Sequence, residues 1–283
     1  MSSVPTLNLV GAGRVAQTLA RLWSLQATFI IQDVLTTSLD SAQGACAVMG
    51  AGHAVESALA MRMADVWMLA VPDAQLAGCA QALADALTRV RPATPTHAPV
   101  VFHCSGAHGS NLLAPLAALG FHVASAHCIL SFASVPAAVL QFPGTPCALE
   151  GDAPACDALR DAFSTIGARC FDVASKDKLL YHAAAVFATN FLPVLQSTAE
   201  DLWHSTGVPA QLIPHLRASL LQHAVTNITA LGPQAALTGP AARGDTAAIA
   251  RQGAAVSQWD AQAGAAYSAL SGLALRLAQR KQD

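Results

Sequence analysis

The stretch Leu7-Asn8-Leu9-Val10-Gly11-Ala12-Gly13-Arg14-Val15-Ala16 constrains this chain more than any other. A short apolar run feeds a Gly-x-Gly-x-x-Ala turn, and the turn feeds a helical pattern with Val15, Leu19 and Leu22 on one face. In a dinucleotide-binding unit of this kind Gly11 allows the sharp turn, Gly13 lets backbone approach a pyrophosphate, and Ala16 lets helix and strand pack closely. The free N–H groups where the helix begins, around Ala12, Gly13, Arg14 and Val15, would then face the phosphates.

The pattern after this unit alternates strand and helix. Residues 27–35 are rich in β-branched and aromatic side chains and predict a second strand. Asp33 lies near the distance from the glycines at which an acid binds the ribose 2′-OH of NAD. Should the strand run on through Val34 and Leu35, the hydroxyls of Thr36, Thr37 and Ser38 would receive the ribose end instead, and they suit a 2′-phosphate better. Both readings are open at this point. A helix is expected over 41–49, a strand over 64–71 closed by Val71-Pro72-Asp73, a helix over 76–87, a loop over 91–99 and a strand over 100–106. Ligands bind outside the carboxyl ends of strands in open parallel sheets. The turns at 11–13, 71–73 and 103–106 are therefore expected to share one crevice, to which Val71, Pro72, Ser105 and Gly106 contribute.

Shorter strands follow at 122–125, 146–149 and 168–173, with a helix over 152–166. From Lys176 onward the pattern is helix after helix, over 176–206, 209–232, 245–258 and 260–282. The expected fold class is α/β, with a parallel-sheet domain over 1–174 followed by an all-α domain over 175–283.

Composition excludes several functions. A formal net charge of −2 leaves no basic surface to neutralise a nucleic-acid backbone. Hydrophobic residues make up 53% of the chain and charged ones only 11%, which calls for a large core or an extensive subunit interface. Between Arg91 and Glu150 no Asp, Glu, Lys or Arg occurs, yet prolines and five histidines break this region, so it cannot be a spanning helix. The N-terminus offers no secretory pattern, and a cytosolic protein without membrane attachment is expected. Seven cysteines without a C-x-x-C pair are expected to be reduced thiols. His103, Cys104, His108, His122, His127 and Cys128 are metal-ligand types in one segment, but their spacings match no common zinc pattern, and no metal site is expected.

Two stretches of the second half carry polar groups that packing alone does not call for. Lys178, His182 and Asn190 recur at i, i+4 and i+12, within a third of the circumference of one helix, interleaved with Ala that lets something approach. In Leu237-Thr238-Gly239-Pro240-Ala241-Ala242-Arg243-Gly244-Asp245 a Gly/Pro turn leads into a helix that Asp245 could cap. Arg243 there could grip a carboxylate bidentately or pair with Asp245.

The succession VGAGRVA, ADVWMLAVPD, HCSGAHGS, LLYHAAAVFATN and ALTGPAARGD resembles a family of bacterial proteins with a Rossmann-like N-terminal half and a C-terminal domain of unknown function. That family is in turn similar to pyrroline-5-carboxylate reductase and to the 6-phosphogluconate and β-hydroxyacid dehydrogenases. The resemblance implies an NAD(P)-binding fold, a helical C-terminal domain, a homodimer and hydride transfer. Lys178 resembles the helix lysine of β-hydroxyacid dehydrogenases, which His or Asn follows three and four residues later; here those places hold Tyr181 and His182. Thr36, Thr37 and Ser38 fall where NADP-using relatives contact the 2′-phosphate, although the Arg often found there is absent. The loop from Thr238 and Gly239 to Arg243 is similar to the stretch of pyrroline-5-carboxylate reductase that borders the substrate carboxylate.

The sequence thus leads to an NAD(P)(H)-dependent oxidoreductase, with NADP favoured and NAD allowed, acting on a C–O or C–N bond of a small carboxylated substrate. Lys178 or His182 would exchange the proton, with Asn190 beside them and Tyr181, Thr238, Gly239 and Arg243 on the substrate. The alternative is a dinucleotide-binding sensor without turnover. A two-fold dimer through the C-terminal helices is expected, and the 238–245 loop would serve its own or the partner's site.

Overall fold

The computed structural model describes residues 4–90 and 97–280. Part of the expected loop over 91–99 lies outside the described residues. The chain divides into two compact units, 1–187 and 188–283.

The first unit is built on eight strands: β1 (Thr6–Val10), β2 (Ile30–Leu35), β3 (His53–Val55), β4 (Val66–Leu69), β5 (Val100–His103), β6 (His122–Cys128), β7 (Pro146–Gly151) and β8 (Arg169–Asp172). They form one sheet in the order β3-β2-β1-β4-β5-β6-β7-β8. Every neighbouring pair is parallel except β6 and β7, which run antiparallel with Ser125 directly opposite Glu150. The helices are α1 (Arg14–Leu25), α2 (Leu39–Met49), α3 (Leu76–Val90), the single turn α4 (Ala114–Ala117), α5 (Val135–Gln141), α6 (Ala153–Thr165) and α7 (Lys178–Ala185). β3 and α5 are short elements that periodicity does not reveal, each too brief to show a period.

The strands of a parallel sheet covered on both faces read as near-continuous apolar runs, and β4 and β5 are buried at every residue. One core cluster centres on Trp23, whose ring meets Phe29, Phe102 and Phe163 edge-on and whose indole N–H donates to the Ala162 carbonyl at 2.9 Å. A second gathers Trp67, Leu69, Leu83 and Leu116. Edge-to-face rings with a satisfied indole fix a single packing arrangement where aliphatic side chains alone would leave several.

The sheet unit runs to residue 187, thirteen residues past the expected division, and so takes in α7, whose first residue, Lys178, is buried and tied to Ser105, just past β5, and to Ser125 in β6.

The second unit consists of α8 (Phe191–Ser205), α9 (Ile213–Ala236), the short α10 (Gly239–Ala242), α11 (Thr246–Trp259) and α12 (Ala261–Ala278). Asp245 and Asp260 cap α11 and α12 by accepting from the N–H groups of Ala248 and Ala263 at 2.9 and 2.7 Å. α11 packs on α12 where Gly264 faces Ser257. Gly232, in the left-handed region with φ +77°, followed by Pro233, kinks α9 near its end. Apolar side chains stay exposed along these helices: Val194, Leu220, Val225, Ile228 and Leu231 each keep about half or more of their surface in solvent. The run Ser175–Ser205 is long and apolar enough, by length and composition, to cross a membrane.

Candidate functional site

The turn after β1 explains both of its glycines. Gly11 has φ +84° and its N–H donates to the Leu35 carbonyl at 2.8 Å. A Cβ on it would lie 2.6 Å from the Ala70 carbonyl oxygen, so only glycine fits between β1 and β4. Gly13 is different. It caps α1 in extended conformation, and a Cβ there would meet nothing within 4 Å. The space above it belongs to a cavity of about 700 Å³, lined by Gly11, Ala12 and Gly13 on one side, Thr36, Thr37 and Ser41 on another, and Val71 and Pro72 on a third. The Gln17 side chain braces the turn by donating to the Ala12 carbonyl at 2.7 Å. A helix N-terminus with free N–H groups at the wall of such a cavity is a ready anion site.

Among the expected cofactor residues, Gly11, Ala12, Gly13, Thr36, Thr37, Val71 and Pro72 line this cavity together. Ser38 is used as the cap of α2, its Oγ accepting from the Ser41 N–H at 3.2 Å. The guanidinium of Arg14 donates to the Ala133 carbonyl at 2.8 Å, and Val15 packs against the core. Asp33 is fully buried and held by Arg62, whose guanidinium Nη2 and backbone N–H reach it at 2.6 and 2.7 Å. The cause is a bulge in β2: Leu7 pairs with Ile31 but Leu9 with Val34, and the Asn8 side chain accepts the Asp33 N–H at 3.0 Å. The strand therefore runs on to Leu35, and Thr36 follows it at the cavity.

Ser105 and Gly106 do not line that cavity; they floor a second cluster. Ser105 Oγ donates to Asp73 at 2.9 Å, which links the turns after β4 and β5, and it accepts the His108 N–H at 3.1 Å. The Lys178 ammonium, 1% exposed, donates to the Ser105 carbonyl at 3.0 Å and to Ser125 Oγ at 2.6 Å. Ser125 in turn donates to Glu150 at 2.8 Å. Glu150 also accepts from Ser175 Oγ at 2.6 Å and from the N–H and hydroxyl of Ser110 at 2.7 and 2.9 Å. Burial pushes the Glu150 carboxyl up, but these donors outweigh burial and hold it below the usual range. Burial lowers the Lys178 ammonium, with Glu150 and then Asp73 opposing that shift.

Tyr181 and His182, one helical turn along α7, complete the cluster. The Tyr181 hydroxyl lies 2.8 Å from His127 Nδ1. Burial, reinforced by His182 and Lys178, lowers His127 to about 4, while burial raises the Tyr181 hydroxyl to about 12. At neutral pH the His127 ring is therefore neutral and the phenol protonated, and the direction of the bond between them follows the tautomer of the ring. The His127 and His182 rings are 5.6 Å apart and converge on Gly106: a Cβ there would lie 2.5 Å from His182 Nδ1 and 2.8 Å from His127 Nε2. His182 Nδ1 is buried without a hydrogen-bond partner. His103, by contrast, is satisfied on both ring nitrogens by the Gly109 carbonyl and the Ser105 N–H.

Residues Val186–Asn190 form a π-helical segment, so the regular 100° per residue on which the alignment of Lys178, His182 and Asn190 rests does not run through it; Asn190 Oδ1 accepts from Thr189 in the second unit. Thr238, Gly239 and Arg243 also belong to the second unit. Thr238 precedes α10, Gly239 takes φ +83°, and Arg243 is exposed at its end, while Asp245 caps α11.

Glu150 and Ser125 were not singled out from the sequence, and His127 only as a metal-type residue. The available signal is that Glu150 is the first charged residue after Arg91 and ends an apolar strand, where a carboxylate needs partners.

With this geometry in hand, residues 4–128 match a Rossmann-like domain and residues 145–273 match a domain of unknown function, DUF2520. The chain joins a Rossmann-like domain to a DUF2520 domain. Comparison with curated proteins finds no match. Among solved structures, a Thermotoga maritima protein is 23% identical over 97% of this chain and 98% of its own, with a TM-score of 0.75. A Bacteroides fragilis protein provisionally named an NADP oxidoreductase is 20% identical over 96% and 98%, TM-score 0.70. Pyrroline carboxylate reductase of Plasmodium falciparum, solved with NADP bound, is 11% identical over 97% and 98%, TM-score 0.57. At these identities the likeness is one of fold.

Proposed function

We propose that the protein is an NAD(P)(H)-dependent oxidoreductase acting on a C–O or C–N bond of a small carboxylated substrate. The observation that carries the reading is the Gly11 and Gly13 turn, one glycine enforced by packing and the other facing an open cavity at a helix start. The NADP-bound and NAD-bound neighbours of the same fold support it. A nicotinamide dinucleotide held at that turn supplies or accepts the hydride. Gly13 and the first N–H groups of α1 would meet its phosphates, and Thr36 and Thr37 its ribose end. With Asp33 already committed to Arg62, no acid from the end of β2 opposes a 2′-phosphate, so NADP is favoured.

The protein's own part is to place and protonate. Ser105 and Gly106 form the floor, and Lys178 and His182 are the two groups to which the accompanying proton is assigned. Within the helical unit, Arg243 with Thr238 and Gly239 is the candidate for gripping a carboxylate, on the likeness of its loop alone. A panel of small keto acids, hydroxy acids and cyclic imino acids, followed by nicotinamide absorbance, tests the reaction. Turnover of a panel member supports it, and binding of the dinucleotide without turnover of any would favour the sensor reading instead.

The exposed apolar faces of α8, α9 and α12 support a homodimer. A single membrane-spanning helix would account for the run Ser175–Ser205 but not for the faces of α9 and α12, and it would have to strip Lys178 from its partners on the sheet. Light scattering of the full chain checks this: a mass near twice 29.0 kDa is expected, and a monomer at micromolar concentration contradicts it. All seven cysteines are free, which suits a reducing cytosol.

A further inference from the structure

We infer that Glu150 is a positioning residue: through Ser125 it holds Lys178 as a fixed buried cation that grips the Ser105 carbonyl, which leaves the proton exchange to His182. The inference rests on the oxidoreductase reading for what the floor at Ser105 and Gly106 does, but not for the state of Lys178.

The hydrogen-bond directions carry the argument. The Ser105 carbonyl can only accept, so Lys178 donates to it. Ser125 Oγ spends its single proton on Glu150, so it too accepts from Lys178. Both bonds of Lys178 therefore run inward to the sheet unit, and its side chain is 1% exposed. A group that must hand a proton to a substrate needs a path to it. His182, half-buried where Lys178 is fully buried, belongs to the next turn of the same helix, and its buried Nδ1 is not tied to another group.

Glu150 lies directly opposite Ser125 across the antiparallel β6 and β7 pair, and donors from Ser110, Ser125 and Ser175 use its oxygens. Such a carboxylate stays ionised and supplies the charge that a buried ammonium lacks in the interior. The charged and titratable groups acting on Lys178 are Glu150 and Cys147 on β7, Asp73 after β4, His103 and Cys104 at the end of β5, and His127 on β6. Glu150 is the largest of the opposing charges acting on it. Burial already outweighs these charges, and without Glu150 it is opposed less, so the ammonium gives up its proton more readily and its grip on the floor weakens.

The full chain contains three lysines, Lys176, Lys178 and Lys281, so a sample grown on isotope-labelled lysine gives three Cε signals, and Lys178→Arg identifies one by its loss. In the wild type the Lys178 signal should stay at the ammonium position between about pH 6 and pH 8. In Glu150→Gln its titration midpoint should fall by about one pH unit or more. Ser125→Ala keeps Glu150 but removes the bridge, and a smaller fall in the same direction is expected should Glu150→Gln not fold. A wild-type Lys178 that is neutral at pH 7, or a midpoint unmoved in both variants, overturns the inference. NADPH titration of the same samples separates the two claims: a shifted Lys178 in a chain that binds no dinucleotide ends the oxidoreductase reading and leaves the tether standing.

Discussion

Replacing Gly106 by alanine puts one methyl group where two imidazoles already meet. The new Cβ would stand 2.5 Å from His182 Nδ1 and 2.8 Å from His127 Nε2, whereas ordinary contact begins at 3.4 Å. The rings must retreat by about 0.9 and 0.6 Å, and overpacking of this kind costs about 1–3 kcal/mol. Gly106 is not in the left-handed region, so alanine adds no backbone strain and the whole cost belongs to the rings. The assay is a double-mutant cycle by urea unfolding of the wild type, Gly106→Ala, His182→Ala and the double variant. Removing the His182 ring relieves the shorter contact, and a coupling of about 1 kcal/mol or more is expected between the two sites. In turnover, an imidazole misplaced by about 1 Å should cost about 10²-fold. Additivity within about 0.5 kcal/mol would show that the rings do not converge on Gly106 and would refute the assembled cluster.

Gly13→Val should leave the melting temperature within a few degrees, since the added Cβ has open space and only about 1 kcal/mol of capping is lost, yet should abolish dinucleotide binding. Gly11→Ala should do the reverse first, unfolding early through its positive φ and its clash with Ala70; a Gly11→Ala chain as stable as the wild type would contradict the packing account. His182→Ala should lower kcat by about 10²-fold with cofactor affinity kept, and near wild-type turnover would remove His182 from the proton transfer. Glu150 has a folded pKa held below its unfolded value, so its contribution to stability is complete above the unfolded pKa and is lost as pH falls through the folded one. Thermal melts should therefore lose stability on acidification below about pH 4.5, and Glu150→Gln should flatten that slope; equal slopes in the two proteins would count against the paired carboxylate.

What could be read from the sequence was what is decided locally. A Gly-x-Gly-x-x-Ala turn between an apolar run and a helical period needs only its own residues to be recognised, and the alternation that follows gave a doubly covered sheet and then helices. Asp33 could not be placed the same way. Its fate depends on a bulge opposite Asn8 and on Arg62, whose side chain comes from 29 residues further along the chain. The same holds for Glu150 and Ser125, which meet only because β7 turns antiparallel to β6, against the parallel order expected of the whole sheet. The π-helical segment before α8 went unread because it is invisible to a regular 3.6-residue period. Lys178 and His182 were found as a pair, but the buried place of one and the partly exposed place of the other are tertiary facts.

The central claim is that the cavity above Gly13 takes a nicotinamide dinucleotide. Titration of the wild-type chain with NADPH and with NADH, followed by nicotinamide fluorescence, tests it directly. Saturable binding is expected, tighter for NADPH because Thr36 and Thr37 rather than Asp33 border the cavity. A folded wild type that binds neither saturably would contradict the account.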